Sequence, residues 1–395
     1  MPFVVLQMMN HNNPVGTHSW MNTIKAPLPW QINTTSIRVK KRAFILLVGA
    51  AVVLILIWFL NSPKVENEKR CFDENIPPYN NHYPLSQRVK TENGFLYKIA
   101  IISDLDQESR NKTLSNTWFS YIKYGRLFVH ERLTDVSIKW DEKIDSIVSH
   151  VGSKGRGMEL SELIVFNGRV YTCDDRTGIV YEIHKKHVVP WVILSDGNGL
   201  NEKGFKCEWM AVKDESMFVG GLGKEWTTSD GELVNLDPQW VKRIEYTGAV
   251  THIDWHHNYN AMRRAAGFSY PGYIIHESGV WSDIHKRWFF LPRRASKQRY
   301  SESVDEFRAT NILITCDEQF NNIDVRHIGP FSPVRGYSSF KFIPDTNDQL
   351  IVAIKSEEER GKIGSYIVAF DLKGNVLLTE MKIEGNFKFE GIEFL

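Results

Sequence analysis

Several stretches of this sequence carry residue types that could do chemistry. In Ile101-Ile102-Ser103-Asp104-Leu105-Asp106 an apolar lead-in precedes two carboxylates two positions apart, and residues so spaced on a strand share one face. Such a pair can hold a cation or activate a water; a surface turn is the competing reading. Asp174-Asp175-Arg176-Thr177-Gly178 has turn-forming residues, but also an arginine whose planar fork suits phosphate oxygens. Lys203-Gly204-Phe205-Lys206-Cys207-Glu208-Trp209 is followed by Gly220-Gly221-Leu222-Gly223-Lys224-Glu225-Trp226. The second piece lacks the spacing of a phosphate-binding loop that opens a helix. Its glycine amides and Lys224 could still meet an anion. Trp209 or Trp226 could stack on a base, although a tryptophan on a strand is more often core. Arg293-Arg294, after the run Arg287–Phe290, could clamp a polyphosphate or sit in a solvated turn.

His252-Ile253-Asp254-Trp255-His256-His257 offers zinc-ligand types, but H-E-x-x-H is absent and the spacing matches no metalloprotease pattern. No nucleophile elbow, kinase set or dinucleotide fingerprint occurs. Chemistry is left to carboxylates, arginines and a metal.

A second pattern is long-range. Ser161-Glu162 opens the stretch Ser161–Ile183, and an acid or serine recurs in comparable strand contexts: Glu208 in CEWMAV, Glu277 in HESGVW, Ser338 in YSSFKF and Glu390 in FEGIEF. The steps are roughly 45 to 70 residues, the length of a propeller blade. Blades around one channel would each aim an oxygen at a common axis, a geometry that suits calcium.

The elements that must position these residues are strands. Short alternating runs such as ELIVFNGRVYTC, NILITC, QLIVAIK and SYIVAFDL are separated by Asn167-Gly168, Asp196-Gly197, Asp230-Gly231 and Lys373-Gly374-Asn375. This is the hairpin signature of an all-β protein. The predicted fold is a five-bladed β-propeller over residues 89–395, with one short helix at Tyr259–Gly267. Twelve tryptophans suit packing on pleated surfaces. The formal net charge of +1 argues against a nucleic-acid binder or a disordered tail.

Upstream, residues 1–42 read as a cytoplasmic tail ending in Arg38-Val39-Lys40-Lys41-Arg42. The apolar run Ala43–Leu60 follows, spanning about 27 Å as a helix, enough for a thin membrane. The basic flank predicts a type II signal anchor rather than a cleaved signal peptide, and residues 61–88 a proline-bearing stem. The remainder then faces the secretory lumen or the exterior. Asn111-Lys112-Thr113 is a glycosylation sequon consistent with that compartment. Cys71, Cys173, Cys207 and Cys316 match no zinc motif; disulfides and buried thiols both stay open.

Taken in order, ISDLDQESR, ELSELIVFNGRVYTCDDRTGIVYEI, KGFKCEWMAVKDE, VGGLGKEWTT, HESGVWSDIHKRWFFLPRRAS, SSFKFIP, VAIKSEE and FEGIEFL resemble the calcium-activated nucleotidase (apyrase) family, from about Tyr97 to Leu395. The resemblance implies a five-bladed propeller with calcium in its channel, held by Ser161, Glu162, Glu208, Glu277, Ser338 and Glu390, with Ser338 and Ser339 not distinguished. It also implies hydrolysis of nucleoside di- and triphosphates, with UDP and GDP favoured in vertebrate members and ADP and ATP in salivary ones. Asp104, Asp106 or Asp175 is then expected to position and deprotonate the water. Arg176, Arg293, Arg294 and Lys224 would stabilise the transferred phosphoryl group, with Trp209 or Trp226 against the base. The alternative is a non-catalytic propeller that binds a protein or glycan. A Golgi or endoplasmic-reticulum location is expected, with a secreted form and a homodimer left open.

Overall fold

The computed structural model describes residues 48–54 and 77–395. The chain divides into two units, Met1–Glu74 and Asn75–Leu395. In the first, residues 48–54 are helical and expose Val48, Val52, Val53 and Leu54. The rest of the expected anchor, the tail before it, Cys71 and most of the expected stem lie outside the described residues. Among the described residues no helix is long and apolar enough to cross a membrane.

The second unit is built from antiparallel strands, as the alternation predicts. Gly94–Asp104, Trp118–His130 and Val136–Ser149 form a meander, and the last strand of the chain, Lys388–Phe394, completes its inner edge. Leu160–Phe166, Arg169–Asp174, Ile179–His184 and His187–Ile193 make the second group. One parallel bridge, Val148 to His187, links these two groups. Trp209–Lys213, Ser216–Gly220, Trp240–Glu245 and Val250–Asp254 make the third. Gly279–Ser282, Arg287–Phe290, Ile312–Cys316 and Asp324–His327 make the fourth. Arg335–Phe342, Leu350–Glu359, Lys362–Asp371 and Val376–Lys382 make the fifth. The predicted helix is present at His256–Ala265.

Local chemistry explains the corners. Phe166 pairs with Arg169 across Asn167-Gly168, whose φ values of 49° and 70° are what a tight two-residue hairpin demands. Burial explains the order of strands within each group. Leu160–Phe166 and Lys388–Phe394 are buried at every residue, whereas Asp324–His327 apart from Val325, and much of Val136–Ser149, are exposed.

Core residues lie between groups, and the clusters form a closed cycle. Ile102 and Ile122 pack on Leu163 and Tyr181. Ile164 and Phe166 meet Met210 and Val219. Trp209 and Val241 meet Trp288 and Ile314. Phe289 and Leu313 meet Phe340 and Val368. Ile354 and Ile367 return to Ile99 and Leu127. Each such side chain contributes about 1.5–3 kcal/mol by leaving water, so every group is held by both neighbours. The inner strands neighbour one another in the same cyclic order.

The compact unit begins before the strand Gly94–Asp104. Tyr83 donates its hydroxyl to Glu393 Oε1 over 2.9 Å and Asn80 N–H donates to Asn167 Oδ1 over 2.7 Å. The part of the expected stem from Pro77 onward is therefore packed on the strands and not a free linker.

Candidate active site

Three of the five recurring positions sit on inner strands, delivered by a shared backbone feature, and the other two stand just ahead of inner strands. In the second group Leu160 pairs with Asp174 and Glu162 with Cys173, which leaves Ser161 as the extra residue. In the fifth, Tyr337 pairs with Lys355 and Ser339 with Ile354, which leaves Ser338. On the closing strand Phe389 and Gly391 pair with Ser103 and Ile102, which leaves Glu390. These are β-bulges, which break the alternation and re-aim one side chain. Glu208 stands just before its strand and Glu277 two residues before its own. All five residues are buried.

Bulging separates neighbours. Ser338 is the bulged residue, while Ser339 Oγ donates to Glu162 Oε1 over 2.8 Å. Glu162, expected among the metal ligands, is not brought to the other acids. Its carboxylate takes Ser339, the Leu163 N–H at 2.9 Å and Lys341 Nζ at 3.2 Å. The physical reason is that it follows the bulged Ser161 by one residue, and the side chain is committed to that other set of contacts.

The remaining acids are interleaved with cations. Lys206 Nζ lies 2.8 Å from Glu208 Oε1 and also pairs with Asp175. Arg293 Nη1 lies 2.6 Å from Glu277 Oε2 and 3.2 Å from Glu390 Oε1, and Nη2 lies 2.5 Å from Glu358. Lys388 Nζ lies 2.6 Å from Asp104, 3.2 Å from Asp106 and 3.5 Å from both Glu358 and Glu390. Burial, with Glu277 and Asp175 nearby, pushes the Glu208 carboxyl up against the opposing pull of Lys206. Burial likewise raises Glu390, reinforced by Asp104 and Glu277. Arg293 holds Glu358 down at about 2.

Beside this group stands a second cluster. Asp104, Asp106 and Glu159 can bring oxygen atoms within 4.8 Å of one another. Asp104 Oδ1 accepts the Asp106 N–H over 2.7 Å. Arg156 grips Glu159 with two hydrogen bonds of 2.6 and 2.5 Å and reaches Asp106 at 3.4 Å. Arg176 Nε lies 3.8 Å from the same glutamate and is 39% exposed. Burial pushes Glu159 up to about 7, with Asp175 and Asp104 adding to it and Arg156 opposing. Asp174 is an internal turn brace, accepting from Met158 N–H, Arg176 N–H and the Thr177 hydroxyl. Asp175 is left to pair with Lys206.

Three sequence expectations are corrected. Trp209 is fully buried against Trp255, Trp288 and Phe290, so it is core and has no face for a base. Lys224 is also buried: Nζ donates to Glu225 O over 2.7 Å and to Thr227 Oγ1 over 2.8 Å, and burial lowers it to about 8. Two of its three donors are spent inside the fold. Arg293 is a counter-charge within the acidic group rather than a rim clamp. Arg294 pairs with Asp305 and comes within 3.6 Å of Glu358. Trp226 stays half-buried beneath Lys203, whose Nζ is 4.1 Å from the ring centre. His256 bonds Gln239, and the histidine cluster joins no metal group among the described residues. Cys173, Cys207 and Cys316 are free and buried.

Sequence reasoning missed Arg156, Glu159, Glu358 and Lys388. Glu159 sits two residues before Ser161 and Lys388 two before Glu390, so proximity to the recurring positions was the available signal. A cavity of about 550 Å³ opens among later residues of the same inner strands, between Met210, Trp281, Lys341 and Glu393, with Tyr79 and Tyr83 over it; it does not include these donors.

The family model described as Apyrase matches residues 105–395. This chain belongs to the apyrase family. It is 52% identical to "Soluble calcium-activated nucleotidase 1" of Rattus norvegicus, covering 88% of each chain. It is 47% identical to "Apyrase apy-1" of Caenorhabditis elegans over 80% of this chain and 89% of that one. With "Apyrase" of Cimex lectularius it shares 42% over 80% and 87%. The matched apyrase segment contains the recurring positions and the Arg156–Glu159 cluster, and begins one residue after Asp104.

Proposed function

We propose that this apyrase hydrolyses nucleoside di- and triphosphates, UDP and GDP foremost and also ADP and ATP, in a calcium-dependent reaction on a five-bladed β-propeller. The observation that carries the reading is the pairing of five buried oxygen-bearing side chains, on or just ahead of five inner strands, with an adjoining Asp104–Asp106–Glu159 cluster held by Arg156. A non-catalytic scaffold has no use for so many desolvated charges. The five strand groups and five cyclic cores support the propeller reading.

Ser161, Glu208, Glu277, Ser338 and Glu390 would hold the ion. An all-oxygen set of carboxylates and hydroxyls suits calcium, and Ser161 Oγ is buried with no partner of its own. When bound, calcium supplies positive charge that screens the phosphates against a nucleophile. The chain's own residues do the rest. Arg156 and Arg176 are partly exposed beside Glu159, where guanidinium forks can take phosphate oxygens. Asp106, with its side chain 48% exposed, is the carboxylate that an entering water can reach, and Asp104 braces it through the backbone. Water oxygen bonds to the terminal phosphorus, its proton passes to the carboxylate, and the bridging P–O bond breaks to release phosphate and the shortened nucleotide. Lys388 and Lys206 hold Asp104 and Asp175 in place through ion pairs.

Residues 43–60 are proposed as a signal anchor that leaves this unit lumenal, in the Golgi or endoplasmic reticulum. The loop bearing Asn111 and Thr113, where the threonine hydroxyl donates to Asn111 Oδ1 over 2.9 Å, offers a glycan site on that side. The test is phosphate release from UDP, GDP, ADP and ATP across calcium concentrations with and without chelator. Undiminished release in chelator sinks the calcium claim, and no release from any of the four sinks the nucleotidase claim.

A further inference from the structure

Neighbouring inner strands do not pair with one another, and no backbone ladder directly joins Leu160–Phe166, Arg335–Phe342 and Lys388–Phe394. A ladder fixes register along a sheet, so something else must set the relative height of these three strands. That matters because each carries one bulged oxygen donor: Ser161, Ser338 and Glu390. A displacement of even one ångström along the axis would spoil a common site.

Side chains one step beyond the bulges supply the ties. Ser339 Oγ donates to Glu162 Oε1 over 2.8 Å, which joins the second and fifth groups. The same oxygen accepts the Ile392 N–H over 3.2 Å, which joins the closing strand. Glu393 Oε2 accepts the Val165 N–H over 3.0 Å and so ties the closing strand back to the second group. Lys341 Nζ stands 3.2 Å from Glu162 Oε2 as its counter-charge. Glu162 and Ser339 are wholly buried, and Lys341 and Glu393 nearly so. Tyr83, from the segment ahead of the first strand, closes the chain of contacts on Glu393.

We infer that Ser339, through Glu162, is a positioning residue for the calcium site: it holds three strands in axial register so that Ser161, Ser338 and Glu390 converge, and the Glu162 carboxylate acts as the hub of that tie and not as a ligand. This rests on the calcium reading given above. Outer partners of this kind typically change metal affinity by about 10–100-fold when removed. The charge on the hub is dispensable in principle, because a buried ion pair replaced on both sides by neutral groups of similar shape is often energetically neutral.

The experiment is calorimetric titration of calcium alone into the chelator-stripped full chain in detergent, with melting followed in chelator. Ser339→Ala should bind calcium roughly 10–100-fold more weakly while its melting in chelator stays within a few degrees of the parent. The double variant Glu162→Gln with Lys341→Met keeps the acceptor for Ser339, and should bind within about fivefold of the parent. Glu208→Gln serves as the ligand-loss reference. Parent-like binding by Ser339→Ala overturns the inference. So does a double variant that falls as far as Glu208→Gln, which would make Glu162 a ligand. If Ser339→Ala fails to fold, the double variant decides by the same criterion. A parent chain that binds no calcium defeats the calcium reading itself, and this inference with it.

Discussion

Arg293 Nη1 donates to Glu277 Oε2 across 2.6 Å, and the pair is buried at the meeting point of the inner strands. The same guanidinium reaches Glu390 and Glu358, so one arginine neutralises acids from three parts of the chain. Truncating one partner of a buried charge pair typically costs about 3–5 kcal/mol, because the others are left uncompensated. Arg293→Met should lose stability of that order in urea unfolding with chelator present. A loss under about 1 kcal/mol would mean that the arginine is not the counter-charge described here.

Arg156 makes a bidentate grip on Glu159 and faces Asp106. If it also takes phosphate, Arg156→Gln should reduce kcat/KM on UDP by about a hundredfold, in line with the loss of one preorganised charged donor. Steady-state kinetics at saturating calcium check this. Unchanged kcat/KM would reduce Arg156 to a brace for Glu159.

Glu357 offers a pH signature through partners other than those of its neighbour Glu358. Burial would raise its carboxyl, but Arg335, Lys362 and the Tyr366 hydroxyl outweigh that and hold it at about 2, against an ordinary 4.5. Because the folded value is depressed, the associated stability is present above pH 4.5 and is lost as pH falls from there toward 2. Urea unfolding of the parent and Glu357→Gln should therefore differ most above pH 5 and converge in acid. A gap that stays constant to pH 3 would assign the effect to packing.

Gly391 stands where two inner strands press together. A Cβ there would lie 2.5 Å from Leu163 N and 2.7 Å from Glu162 Cα, closer than side-chain carbons approach backbone. Gly391→Ala should cost about 1–3 kcal/mol as the strands separate, and should weaken calcium binding through displacement of Glu390. Parent-like melting and calcium affinity would show that the strands yield without consequence.

Much of this was legible in the sequence because it is local. Alternation along runs such as Ser161–Phe166, and Asn167-Gly168 at the corner, dictate strands and hairpins through backbone preferences that act within a few residues. The recurrence of Ser161, Glu208, Glu277, Ser338 and Glu390 predicts one donor per inner strand for the same reason: each repeat solves the same local problem. The charged residues Arg156, Glu159, Glu358 and Lys388 had no such signature, since a lone lysine or glutamate on a strand is indistinguishable from a solvated one.

Only the tertiary structure decided which neighbour of each pair faces the axis. Three bulges shift Ser161, Ser338 and Glu390 out of simple alternation, and a one-residue slip reverses the side to which a strand residue points. That is why Glu162 turns to Ser339 and Lys341. It is also why Trp209 and Lys224, attractive beside glycines and acids in the sequence, are internal. Their burial depends on residues from other groups, such as Trp288 against Trp209 and Tyr300 against Lys224. Contacts of that kind arise only when the sheets pack against one another, and no local pattern encodes them.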